Sequence, residues 1–174
     1  MTSAVTDASL KEEAHAMMLG YTSKFKVPVM NSQQISDLLS HADEEIYLVD
    51  VRDEEERQVS MIPSAISKET FLSRKSQLSK STRIVSYCTI GHRSGVFSTQ
   101  LLEEGFDNVH NGEGIILWSH LQNSQLVTGP DNSTATHRVH TFGNQWDKVP
   151  AHVESVQFGY ISMVKAYIFF IFGW

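Results

Sequence analysis

One heptapeptide carries the residue types for covalent chemistry: Cys88-Thr89-Ile90-Gly91-His92-Arg93-Ser94, which holds the only cysteine of the chain. A thiol becomes a strong nucleophile as the thiolate, and cations or a helix N-terminus favour that form. Arg93 offers a planar fork for an anionic substrate and His92 a titratable neighbour. Gly91 permits the positive φ that a tight turn of inward-pointing N–H groups requires. The spacing therefore suggests a nucleophile in an anion-binding cradle. A buried structural cysteine is the plain alternative.

The flanking residues say what must hold this loop. Arg83 to Tyr87 is a short β-branched and aromatic run, which reads as a buried strand. After Ser94, Phe97, Leu101 and Leu102 recur at helical spacing, and Gly105 stands where a helix C-cap wants a left-handed residue. A strand thus enters a six-residue loop, Cys88 to Arg93, and leaves it as a helix. Unpaired N–H groups and the positive dipole end at such a helix start favour an anion.

Upstream, Lys26-Val27-Pro28-Val29-Met30 is a short extended piece whose proline suits a sheet edge. Asn31, with Gln34 three residues on, forms a capping box for a helix carrying Ile35, Leu38 and Leu39. Ile46 to Arg52 is a nearly continuous apolar strand, as in a sheet buried on both faces. Asp50 and Arg52 mark its C-terminal end, where open α/β sheets place ligands. We assign this pair to ordering the neighbouring loop. Asp53-Glu54-Glu55-Glu56 reads as a solvated helix start, Met61 to Ile66 as a turn into another strand. Two helical pieces follow, over 68–72 and 74–78. Phe106 to His110 is a further strand, Asn111 to Gly114 a turn, and Ile115 to His120 a helical stretch. Strands alternating with helices predict an α/β fold: a central parallel sheet flanked by helices on both faces.

Taken in order, these segments resemble the rhodanese (sulfurtransferase) family over about residues 25 to 125. The matches are Leu48-Val49-Asp50-Val51-Arg52, then Ile62-Pro63 with Ala65-Ile66, then Cys88 to Ser94. Leu101-Leu102, Gly105-Phe106 with Val109, and Gly114-Ile115 with Trp118 complete the set. Two departures touch only local geometry. Ser64 stands where many members have glycine, and Gly112-Glu113-Gly114 replaces a Gly-Gly pair.

The resemblance implies a single-domain, rhodanese-like α/β protein with a catalytic Cys88 that carries sulfane sulfur as a persulfide. The expected reaction moves sulfur from a small anionic donor such as thiosulfate to cyanide, a thiol or a sulfur-accepting protein. The cradle residues Thr89, Ile90, Gly91, His92, Arg93 and Ser94 would bind the sulfur and its donor, with Asp50 and Arg52 supporting them. Their amides are expected to converge on the terminal sulfur. Without a second rhodanese half to wall the pocket, an open site is expected. The rival reading is a cysteine phosphatase or arsenate reductase. Those cradles place five residues between Cys and Arg, against four here, and the shorter loop favours sulfur over phosphate. A redox- or persulfide-sensing interaction module is the third reading.

Composition narrows the field. A 174-residue chain with 41% hydrophobic residues and a net charge of -6 reads as one soluble, mildly acidic domain without a nucleic-acid surface. One cysteine fits a reducing, cytoplasmic compartment. We divide the chain into an N-terminal extension (1–25), a rhodanese-like domain (26–127) and a C-terminal extension (128–174). In the first, Ser9 to Leu19 reads as a loosely packed peripheral helix that Gly20 would stop. In the last, 128–134 reads as a linker, and Val139, Phe142 and Trp146 as residues packing the arm back onto the domain. His137 and His140 have the spacing of ligands on a helix, but no acid or cysteine joins them, so neither a metal nor another cofactor is expected. Val153, Val156, Tyr160, Val164, Tyr167 and Ile171 fit one helical face. The apolar Ile161–Trp174 end is shorter than a membrane span, and packing on the domain or a second copy is expected ahead of peripheral membrane contact.

Overall fold

The fold is that of a computed structural model, which describes residues 6–41, 46–128, 131 and 133–157. The expected apolar end at Ile161–Trp174 lies outside the described residues.

Helix α1 (Asp7–Thr22) precedes strand β1 (Val29–Met30), helix α2 (Ser32–Ser40) and strand β2 (Ile46–Asp50). Helix α3 (Glu54–Val59), strand β3 (Ile66–Ser67), helix α4 (Lys68–Arg74) and strand β4 (Arg83–Tyr87) follow. Helix α5 (His92–Glu103), strand β5 (Val109–Gly112) and helix α6 (Ile115–Ser119) complete the central layer. The five strands are all parallel, in the order β1-β5-β4-β2-β3. Strand β4, with Cys88 next in the chain, is therefore central, and β1 with its preceding Pro28 lies at an edge.

Side chains alternate across the sheet, which divides the core in two. Leu48, Val85 and Tyr87 pack with Ala14 and Met18 of α1, Ile35 of α2 and Ile115 to Trp118 around α6. Val49, Ile84 and Val109 pack with Phe71 of α4 and Phe97 and Leu101 of α5. Helix α2 opens with the expected box: Asn31 accepts from the Gln34 N–H at 2.8 Å and Gln34 accepts from the Asn31 N–H at 2.9 Å. Helix α5 closes with N–H bonds from Phe106 to Leu101 and from Gly105 to Leu102, a Schellman motif.

The structure corrects several expectations. Helix α1 runs through Gly20 to Thr22, and Ala14 and Met18 are essentially inaccessible, so it packs into the core instead of lying loosely on it. Burial of that apolar stripe outweighs the cost of an internal glycine. Helix α5 begins at His92, leaving a shorter loop, Cys88 to Gly91. Strand β5 starts at Val109 and extends through Asn111 and Gly112, because pairing with both β1 and β4 overrides the turn propensity of Asn-Gly.

Beyond the sheet, β6 (Leu126–Thr128) and β7 (Thr134–Thr136) form a hairpin, and β8 (Arg138–His140) pairs in parallel with β9 (Glu154–Val156). His140 is thus on a strand instead of a helix, and so is Val156, while Val153 precedes that strand. Val139 is fully buried in the core. No helix among the described residues is long and apolar enough to cross a membrane.

Candidate active site

The β4–α5 connection is held through the carbonyls of Cys88, Thr89 and Gly91. The Cys88 carbonyl accepts from the Ile115 N–H at 2.9 Å, and the Thr89 carbonyl from Ile116 at 3.3 Å. Gly91 turns the chain at φ 90°, and its carbonyl accepts from Asn111 Nδ2 at 2.9 Å and from the Gly95 N–H at 3.0 Å. Gly114, at φ 105°, lies so close to the loop that a Cβ there would stand 2.5 Å from the Thr89 carbonyl oxygen. Ser86 Oγ donates to the Ser94 carbonyl at 3.1 Å. These bonds fix the cradle before any ligand arrives.

Cys88 Sγ sits at its floor. It accepts from the Gly91 N–H at 3.2 Å and from the Ser94 hydroxyl at 3.5 Å. These two donors reach Sγ itself. The Ile90 side chain packs into the core. Cys88 as a residue is only 2% exposed, so the site is recessed, not open as the single-domain reading suggested.

Arg93 stands beside the thiol but is bound to an acid. Its Nη1 donates to Glu56 Oε2 at 2.6 Å and its Nη2 to Glu56 Oε1 at 2.8 Å, a bidentate pair. Nη2 also donates to Thr89 Oγ1 at 3.1 Å, and Asp53 Oδ2 lies 3.6 Å from Nη1. Glu56 accepts from Thr89 Oγ1 at 3.2 Å and from the Asp53 N–H at 3.1 Å. Burial alone would push the Glu56 pKa up. Arg93, with His140 Nδ1 3.5 Å from Oε1, outweighs it and holds the carboxyl well below the usual range. Arg93 is in turn raised above its ordinary value, Glu56 overcoming the effect of burial.

Glu56 was expected in a solvated helix start and is instead buried at 2% exposure. The sequence did carry a signal, because Asp53 and Glu56 have the spacing of a capping box, which folds the third residue back. Nothing in the sequence marked Asn111 as an anchor of the Gly91 carbonyl.

Asp50 and Arg52 form a second, fully buried pair near the sheet's C-terminal end. Arg52 Nε donates to Asp50 Oδ1 at 2.9 Å and Nη2 to Oδ2 at 2.7 Å, while Nη2 also reaches the Ser60 carbonyl at 2.6 Å. Tyr87 donates its hydroxyl to Asp50 Oδ2 at 2.7 Å and accepts from the Ile62 N–H at 3.1 Å. The pair thereby ties β2, β4 and the 60–62 turn together, one residue before Cys88. Burial, then Asp50, raise the Tyr87 phenol well above its ordinary pKa, so it remains a donor.

His92 is half-buried, edge-on to Tyr21 and Phe25, with Lys24 Nζ 2.8 Å from its Nε2. Burial, Lys24 and Arg93 lower its pKa. The N-terminal segment also packs on the loop itself: a Cβ on Gly91 would meet the Thr22 methyl at 2.7 Å. Among the described residues no cluster of three or more His, Cys, Asp or Glu side chains is placed to hold a metal.

The fold agrees with the comparisons. The rhodanese-like domain model matches residues 32–116. YtwF of Bacillus subtilis, assigned as a sulfurtransferase, is 38% identical over 79 residues, covering 44% of this chain and 77% of the relative. A sulfurtransferase from Allochromatium vinosum is 33% identical over 93 residues, covering 52% and 86%. The chain belongs to the rhodanese-like family. Two crystal structures share the fold. The Alr3790 protein from Anabaena sp. gives a TM-score of 0.51 at 20% identity, covering 59% of this chain and 83% of that one. Thiosulfate sulfurtransferase from Pseudomonas aeruginosa gives 0.54 at 23%, covering 71% and 24%.

Proposed function

We propose that the protein is a sulfurtransferase that carries sulfane sulfur as a persulfide on Cys88, with thiosulfate as a competent donor and cyanide or a thiol as acceptor. The observation that carries this reading is the hydrogen-bonded position of Cys88 Sγ, 3.2 Å from the Gly91 amide, at the start of the 12-residue helix α5. The amide, the Ser94 hydroxyl and the helix dipole all favour negative charge at that spot.

In the first step the Cys88 thiolate attacks the outer sulfur of thiosulfate. The S–S bond of the donor breaks, its electron pair leaves with sulfite, and Cys88-S-S⁻ forms. In the second step cyanide, or a thiolate, attacks the terminal sulfur. Thiocyanate or a new persulfide departs, and the electron pair of the broken S–S bond restores the Cys88 thiolate. Arg93 contributes a fixed positive charge beside both anions. Because Glu56 and Thr89 already occupy its Nη atoms, a bound donor shares the guanidinium with them.

Intact mass spectrometry tests this. Thiosulfate exposure should add one sulfur, about 32 Da, which cyanide removes and Cys88→Ser never acquires. Hydrolysis of an aryl phosphate with no mass gain would replace this reading with a phosphatase.

A further inference from the structure

The recess around Cys88 is built by both extensions. On one side Thr22 abuts Gly91, and a Cβ on Gly95 would fall 2.4 Å from the Phe25 ring. His92 is wedged there between Tyr21 and Phe25. On the other side the 138–142 arm closes over the Glu56–Arg93 pair. His140 Nδ1 lies 3.5 Å from Glu56 Oε1, and the Arg93 guanidinium stands 5.2 Å from the centre of the Phe142 ring.

Phe142 is itself braced. His140 and Trp146 meet its ring edge-on at 6.1 and 5.6 Å. The Thr141 N–H before it donates to the Val156 carbonyl, and the Gly143 N–H after it to the Thr141 carbonyl. Its backbone is left-handed, φ 67°. A bulky side chain in that region is strained and persists only where its surroundings over-determine it. The ring is thus pinned on Arg93 at some conformational cost, which a mere surface tether does not need.

Resting on the sulfurtransferase reading, we propose that this wall selects the acceptor: Cys88 persulfide passes its sulfur to small nucleophiles, cyanide or low-molecular-weight thiols, and not to a cysteine of a folded protein. Phe142 is the specificity-determining residue. The chemistry of size decides it. A protein cysteine holds its sulfur one methylene beyond its own backbone, so that backbone must enter with it. Cys88 is 2% exposed as a residue, with the Phe142–Arg93 contact and the Thr22–Phe25 segment on its loop, so the approach favours a small thiolate over a peptide backbone.

The test loads the full-length protein with sulfur from thiosulfate, verifies the mass gain, and follows its loss to cyanide, to 2-mercaptoethanol, and to a reduced thioredoxin-sized protein with an exposed cysteine. The wild type should transfer to the small acceptors at least about tenfold faster than to the protein, and Phe142→Ala should shrink that ratio several-fold. Phe142→Leu, which keeps more of the wall, should fall between. In the unmodified wild type, iodoacetamide should alkylate Cys88 readily and a polymer-linked maleimide should not, a readout that needs no variant to fold. Equal transfer to protein and small thiols by the wild type, labelling indifferent to reagent size, or an unchanged ratio in both variants would overturn the proposal. Absence of any mass gain on thiosulfate exposure would instead overturn the sulfurtransferase reading beneath it.

Discussion

Glu56 Oε2 lies 2.6 Å from Arg93 Nη1, joining the short helix after β2 to the first turn of the helix after the Cys88 loop. Both groups are largely withdrawn from water, so neither is cheap to leave alone. Glu56→Gln keeps the shape and removes the charge, stranding the guanidinium. A loss of about 3 kcal/mol is expected, because breaking a buried pair from one side leaves an uncompensated charge. A lower urea midpoint at unchanged slope would measure it.

Gly91→Ala should damage the loop twice, through a φ of 90° that alanine resists and through the Thr22 methyl 2.7 Å from the new Cβ. The expected cost is about 1–3 kcal/mol, with slower sulfur uptake from thiosulfate. Thr22→Ser removes the methyl but keeps the hydroxyl that donates to the Met18 carbonyl at 2.9 Å. Adding it to Gly91→Ala should restore only the steric share, which a double-mutant comparison of unfolding midpoints would separate.

Tyr87→Phe removes the hydroxyl shared by Asp50 and the Ile62 amide. The orphaned buried N–H and the under-bonded carboxylate should cost about 1–3 kcal/mol. Because the ring still fills its place, the fold should survive, and the destabilisation should appear in a thermal or urea melt.

Acidification should weaken the fold in two stages. The pKa values of His92, His110 and His120 are all lowered, chiefly by burial. As pH falls below about 6.5 the unfolded chain takes up those protons first, so stability declines from there toward the depressed values and is flat above. Glu56 is also depressed, by Arg93 against the opposing effect of burial. Its contribution is complete above about pH 4.5 and is lost as pH drops further. Urea midpoints across pH 3 to 8 would display both declines. Lys24→Gln should raise the His92 pKa, read directly from its imidazole proton shifts.

The central sheet was legible because its strands are short apolar runs punctuated by helices, and parallel pairing leaves little choice of arrangement. Cys88 and its glycine were legible because loop chemistry is local in sequence. What escaped was non-local. Whether an acidic run faces solvent depends on a cation 37 positions later, and Glu56 met Arg93 only once the fold was closed. Similarly, α1 looked peripheral although Leu10, Ala14, Met17 and Met18 fall on one side of it, because nothing local says which surface that side will meet. The arm containing His140 has no periodicity that predicts where a short strand will dock.

The family-matched stretch, 32–116, is consequently not a portable unit. A fragment trimmed to it would lack the ring beneath Gly95, the methyl beneath Gly91 and the aromatic cover on Arg93. Such a fragment would keep every residue from Cys88 to Ser94 yet present a differently shaped mouth, and sulfur-transfer rates measured on it would not describe the whole chain.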